Sequence, residues 1–262
     1  MSIQHLFGGW PFLDQDFDRK RLLAAVVAVR MEKSRCAKID LGVGSDIKRH
    51  LIPSVAQRIL TFGSAPPRIS YRALDEAEFE EVSSSILHIR STCATISPYW
   101  SLPVSFHILL DGETISCSAY HYPQQIFLSE RALISRQECC EQLIHELAHI
   151  WMYLVEEVSP LAMSTDAEAK YTLPSGTQGK TPSEVLGASH VAAVLCRWYA
   201  ISTDPRGQER FNYLEKYKER CLHLPPELPN SLTTAGLELL ARLRADVVPM
   251  HSLGSSLEAV HH

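Results

Sequence analysis

A chain of 262 residues, 45% hydrophobic and 21% charged, is long enough to bury one large core, and its formal net charge of −5 gives no electrostatic footprint for nucleic acid or an anionic membrane. The seven cysteines, odd in number and without a CxxC pair, point to reduced thiols rather than a disulfide scaffold. Residues 1–20 lack a basic segment leading into a long apolar one, and the stretch from Leu22 to Val29 is far too short to span a bilayer, so the expectation is a cytoplasmic protein with no nucleic-acid or membrane partner.

From Asp16 to Lys33, Leu22, Leu23, Val26, Val27 and Met31 recur at helical spacing, and Asp46 to Phe62 continues in the same style. Pro66 and Pro67 break the chain. Asp75 to Cys93 then reads as an acidic helix burying Phe79, Val82, Ile86 and Ile89, which completes an N-terminal helical portion, 1–100. The character changes at Val104 to Leu110, Thr114 to Tyr120 and Gln125 to Ser129. These short β-rich runs, split by Asp111-Gly112 and Pro123, read as an antiparallel sheet. Ser135 and Glu138 have capping-box spacing, so a helix starts just after Ser135. It carries two apolar stripes, one through Leu143, Leu147, Ile150 and Leu154, the other through Cys140, Ile144, Trp151 and Val155. Ala162 to Gly179 is Ser/Thr/Gly-rich and long for a connection, as a lid beside a site would be. A second capping box, Thr181 to Glu184 with Pro182 at the first helical position, opens an apolar helix through Trp198. Helices around Gln208 to Leu222 and Thr233 to Asp246 follow, and the tail to His261 and His262 reads as unstructured. The expected fold is α+β, mainly helical, with a small antiparallel sheet packed beside one long helix in a single catalytic domain, 1–262.

That long helix carries the chemistry. His145, Glu146, Leu147, Ala148 and His149 spell HExxH, and residues four apart on a helix are stacked neighbours about 5–6 Å apart at Cβ, so both imidazoles reach one metal ion. Glu146 projects roughly 100° round the same turn, near the metal without joining it. On a helix apolar on most sides, such groups need partners or a metal. A third ligand has two candidates on the following helix, Glu184 and His190. Glu184 already has a structural role as partner of Thr181, which favours His190. His107 and His121, alternating with apolar residues on the strands, are spare candidates. The same frame suits zinc and peptide hydrolysis, with Glu146 as general base on a metal-bound water, or Fe(II) and oxygen chemistry. A scaffold that keeps the helix without metal and binds a peptide is the third class.

Beyond the motif, the runs Ser116 to Tyr120, Gln125 to Ser129 and Cys140 to His149, with Pro182, Gly187 and His190 downstream, resemble the core of the α-ketoglutarate-dependent HExxH-type peptide β-hydroxylases, also described as HExxH-containing putative peptide-modification proteins. The resemblance covers roughly residues 114–200. It implies Fe(II) on His145, His149 and His190, α-ketoglutarate as co-substrate, and hydroxylation of a side-chain β-carbon in a precursor peptide of ribosomal natural-product biosynthesis. Glu146 then has no compulsory role. The family's Arg directly before the Pro is absent here: Lys180-Thr181 precedes Pro182, and the Pro-to-Gly spacing is longer. The distal carboxylate of the keto acid needs a cation, best a guanidinium. Arg197, seven residues after His190 and nearly on the same helix face, is the expected anchor, with Lys180 second. A zinc metallopeptidase remains the alternative.

Overall fold

The computed structural model describes residues 2–36, 50–52, 68–163, 171–223 and 226–249. The expected helix from Asp46 to Phe62 lies outside the described residues except at its middle, as do Pro66 and Pro67, part of the 162–179 connection, and the tail with His261 and His262. The α+β, mainly helical reading holds. The α-helices are α1 (Ile3–Phe7), α2 (Arg19–Cys36), α3 (Glu76–Thr92), α4 (Arg136–Val158), α5 (Pro182–Tyr199), α6 (Gly207–Leu222) and α7 (Thr234–Arg244). The strands are β1 (Tyr71–Arg72), β2 (Ser105–Leu109), β3 (Ser116–Cys117) and β4 (Gln125–Leu128).

The HExxH helix α4 is the spine. Its N-cap is Ser135, whose side chain accepts from Glu138 N, but the reciprocal half of the expected capping box is missing. The Glu138 carboxylate instead accepts from Gln142 Nε2 at 2.9 Å, the i,i+4 partner on the same face. Leu143, Ile144, Leu147 and Trp151 are fully buried, as two apolar stripes require. Helices α2, α3 and α5 pack against α4, and one hydrophobic core runs from Ile3 to Leu243. On α3 the buried face is Val82, Ser85 and Ile89, while Phe79 in the first turn is exposed. On α2, Met31 is exposed and Arg30 buried. Its guanidinium forks onto Glu157 of α4 at 2.7 and 2.5 Å and donates to the carbonyls of His50 and Leu51. A buried charge so fully paired is tolerated, where an unpaired one is not.

The sheet is mixed rather than wholly antiparallel. Its order is β1-β2-β4-β3, with β2 parallel to β4 and the two outer pairs antiparallel. All four residues of β4 are buried, so this apolar strand takes the centre, and the polar Ser116–Cys117 strand is left at the edge. Asp111-Gly112 does not form a hairpin: Asp111 Oδ1 accepts from Glu113 N and Thr114 N, and the chain passes over β4 before pairing. Helices α5, α6 and α7 close the other side. Asp246 ties them together, accepting from Arg197 of α5 at 2.6 and 3.0 Å and from Arg242 of α7 at 2.9 Å, with Lys218 Nζ of α6 at 3.7 Å. At Gly236, a Cβ would stand 2.1 Å from the Leu161 carbonyl oxygen, so only glycine allows α7 to approach this closely.

Candidate metal centre

One face of α4 lines a cavity of about 1190 Å³ whose other walls include β3 with the loop after it, α5 from Ser183 to Leu195, and α6. Along that face Glu141, His145, His149 and Tyr153 succeed one another at intervals of four residues, one above the next. The two imidazoles stand with ring centroids 5.0 Å apart. His149 stacks on Tyr153 at 5.9 Å and is overlaid by Gly187 of α5, where a Cβ would stand 3.8 Å from Nδ1. Burial, with the nearby imidazoles and Lys180, holds His149 well below the usual histidine range. It is therefore a neutral ring at pH 7, the form that donates a lone pair to a metal.

Glu146 is buried and faces the sheet edge. Its Oε1 lies 2.6 Å from Ser116 Oγ and its Oε2 2.7 Å from Ser118 Oγ, so the serines on and just after β3 fasten the HExxH glutamate to the strand. Ser116 Oγ is also 2.8 Å from Gln142 Oε1 and, with one proton, donates to one acceptor at a time. Glu146 Oε1 stands 3.9 Å from His145 Nε2.

The remaining expected residues separate. His190 is fully buried, off the cavity wall; its Nε2 lies 2.8 Å from the Pro11 carbonyl oxygen and its ring meets Phe12 edge-on at 6.0 Å. Donation to that carbonyl makes Nδ1 the bare nitrogen, and Nδ1 has no hydrogen-bond partner. Burial pushes His190 down to about 4. His190 thus lies close enough to act on His149 electrostatically but is not gathered with the histidine pair into a set that could hold a metal: helix α5 turns Gly187 toward His149, while Nε2 of His190 meets the N-terminal segment. Arg197 is likewise off the wall, committed to Asp246 and to the Ala193 carbonyl, because that face of α5 packs against α7. Lys180 and Glu184 are on the wall, paired at 2.9 Å, and Glu184 also completes the expected capping box by accepting from Thr181 N at 2.8 Å. His107 stacks on Phe127 at 5.2 Å within the sheet, away from the cavity, whereas His121 lines it. Among the described residues, no three His, Cys, Asp or Glu side chains are gathered closely enough to hold a metal together.

Three groups on or beside this wall are absent from a motif reading. The serines lie within a run that the resemblance singles out, yet no spacing rule says that their hydroxyls meet Glu146. Glu141, also buried, receives hydrogen bonds from Arg210 and Tyr199. Its place four residues before His145 was the available signal, since an acid on a buried helix face must find a partner. Glu156, also on the wall, is pushed up to about 7 by burial and nearby Glu184, against a hydrogen bond from Ser183. No described helix is long and apolar enough to cross a membrane. No protein-family model and no curated protein matches the chain.

Proposed function

We propose that the chain is an iron(II)- and α-ketoglutarate-dependent enzyme that hydroxylates a side chain of a peptide laid along the outer edge of β3. The observation that carries this reading is the state of Glu146. Hydrolysis by an HExxH enzyme needs that carboxylate as a general base, free to take a proton from water. Here each of its oxygens lies within hydrogen-bond distance of a serine hydroxyl of the edge-strand segment, so its work is to hold the helix against the strand that would receive the peptide.

The wall carries the imidazoles of His145 and His149 and the Glu184 carboxylate, the residue types of a two-histidine, one-carboxylate set, although as they stand they are not gathered closely enough to hold a metal. Glu184, rather than His190, is the third ligand in this proposal, with its bond to Thr181 given up on metal binding. The wall also offers cations for a dicarboxylate in Lys180 and Arg210. Iron with the keto acid supplies the oxidising chemistry when bound. The protein binds the peptide backbone at β3, orients the target side chain toward the histidine pair, and excludes water with Tyr153 and the apolar wall of α5.

The 3.9 Å approach of Glu146 to His145 Nε2 favours a second reading, a zinc peptidase with Glu146 as base. An anaerobic titration of metal-stripped protein with Fe(II) and then α-ketoglutarate decides between them. The expected result is the visible charge-transfer band of an iron–keto acid complex, lost in His145→Ala and His149→Ala. Absence of the band in protein that retains stoichiometric zinc, with peptide cleavage abolished by Glu146→Gln, would replace the hydroxylase by the peptidase.

A further inference from the structure

We infer that a second, smaller cavity, formed by the start of α4, the end of α5 and the loop into α6, binds a guanidinium group carried by an arginine side chain of a polypeptide or by a free alkylguanidine. Its volume of about 350 Å³ falls within the roughly 300–1,000 Å³ of small-ligand pockets, and neither the histidine pair nor a metal takes part in it. The wall sets the carboxylates of Glu138, Glu141, Asp204 and Glu209 against the guanidiniums of Arg206 and Arg210, an excess of two formal negative charges. That excess outweighs the roughly half unit of positive charge at the start of α6.

An acidic patch alone is an ordinary solvated surface, and buried Asp204 is what distinguishes this one. Its side chain is only 2% exposed. Oδ1 accepts from Arg206 N at 2.8 Å, while Oδ2 is buried without a hydrogen-bond partner. A carboxylate oxygen left bare in this way is costly and calls for a donor. The Arg206 side chain does not supply one, since it is largely exposed and its Nε approaches no closer than 3.9 Å, to Oδ1. The other acids divide by what they already hold. Glu141 receives Arg210 and Tyr199, and Glu138 accepts from Gln142 Nε2. Glu209, exposed in the first turn of α6, has no side-chain hydrogen bond or ion pair among the described residues. The acceptors left for a ligand are therefore Asp204 and Glu209. Among the described residues no three acidic or other ligating side chains are gathered closely enough for a metal, which argues against a compact divalent cation. A guanidinium spreads five N–H donors over a rigid plane and can serve two separated acceptors at once. It is also more weakly hydrated than an ammonium and stacks on aromatic rings, of which this wall has Tyr199 and Tyr213.

Titration calorimetry of the full chain, without added metal, tests this with N-acetylargininamide, its neutral isostere N-acetylcitrullinamide, and butylguanidine. Wild type is expected to bind the arginine derivative about tenfold to a hundredfold more tightly than the citrulline derivative, the usual worth of a charge-assisted hydrogen bond. Asp204→Asn keeps an oxygen to accept from Arg206 N and should remove that preference, with circular dichroism confirming the fold. Glu209→Gln, at an exposed position, should reduce it several-fold. Glu80→Gln takes one charge from an exposed position of α3 outside the cavity and should leave it unchanged. Tighter binding of N-acetylargininamide than of butylguanidine identifies a polypeptide as the source, and the opposite order identifies a free alkylguanidine. Equal affinity for the arginine and citrulline derivatives, full preference retained in Asp204→Asn, or equal loss in Glu80→Gln overturns the inference. Binding of none of the three at millimolar concentration overturns it as well. The hydroxylase reading stands or falls separately, on the iron titration.

Discussion

Replacing His190 by Gln separates a histidine of the core from a metal ligand. Its ring is held down to about 4 from the ordinary 6.5 by burial, the hydrogen bond to the Pro11 carbonyl opposing only in part. The folded protein therefore keeps this ring neutral while the unfolded chain takes up a proton below pH 6.5. Stability tied to His190 is fully present above pH 6.5 and is lost as pH falls toward 4. At about 1.4 kcal/mol per pH unit, the whole effect is about 3 kcal/mol, of which about 2 kcal/mol is already lost by pH 5. Glutamine does not titrate, and its amide can still donate to the Pro11 carbonyl. Urea denaturation of wild type and His190→Gln at pH 7 and pH 5 should show wild type losing about 2 kcal/mol more than the variant over that interval. Metal content after Fe(II) or Zn(II) loading should be the same in both. An equal pH dependence would show that His190 does not carry this linkage, and loss of metal in the variant would return it to the ligand set.

Other perturbations follow from the same geometry. Asp246→Asn leaves Arg197, Arg242 and the buried Lys218 without their shared carboxylate, and should cost about 3–5 kcal/mol in chemical denaturation with keto acid affinity unchanged in the surviving folded protein. The double variant Ser116→Ala/Ser118→Ala removes both hydroxyl donors from buried Glu146, an expected loss of about 2–4 kcal/mol. Adding Glu146→Gln should recover part of that loss, a coupling read directly from the double-mutant cycle. Glu156 is raised to about 7, so the fold binds a proton that the unfolded chain releases above pH 4.5, and that contribution disappears as pH rises through 7. Glu156→Gln should then be more stable than wild type at pH 8 by about 1–2 kcal/mol, allowing for partial exposure, and nearly equal to it at pH 5; thermal melts at the two values check this.

Local signals carried far along this chain where side-chain period and caps agreed. The spacing of Leu143, Leu147, Ile150 and Leu154 required the HExxH helix, and Thr181, Pro182 and Glu184 required the next one, because these rest on contacts within four residues. Stacking His145 over His149 is likewise a property of helix geometry alone. The strands were legible as apolar runs but their order was not: a period of two says which face is buried, not which edge meets which neighbour, and β4 entered between β2 and β3 by its burial.

The sequence by itself determined the helix that bears the two histidines, the helix that faces it, and the prevailing α+β character, all of which follow from periodicity and capping. Only the tertiary structure decided which polar groups share the cavity. The rotation of α5 about its axis sends Gly187 to His149 and His190 to Pro11 and commits Arg197 to a carboxylate 49 residues away, while α6, a helix with no motif, brings Arg210 to the same cavity wall as the two histidines. Helical spacing fixes angles within one helix, whereas the face presented to a neighbour is set by the packing of the whole core, and so the partners of Glu146 and Glu141 came into view only with the fold.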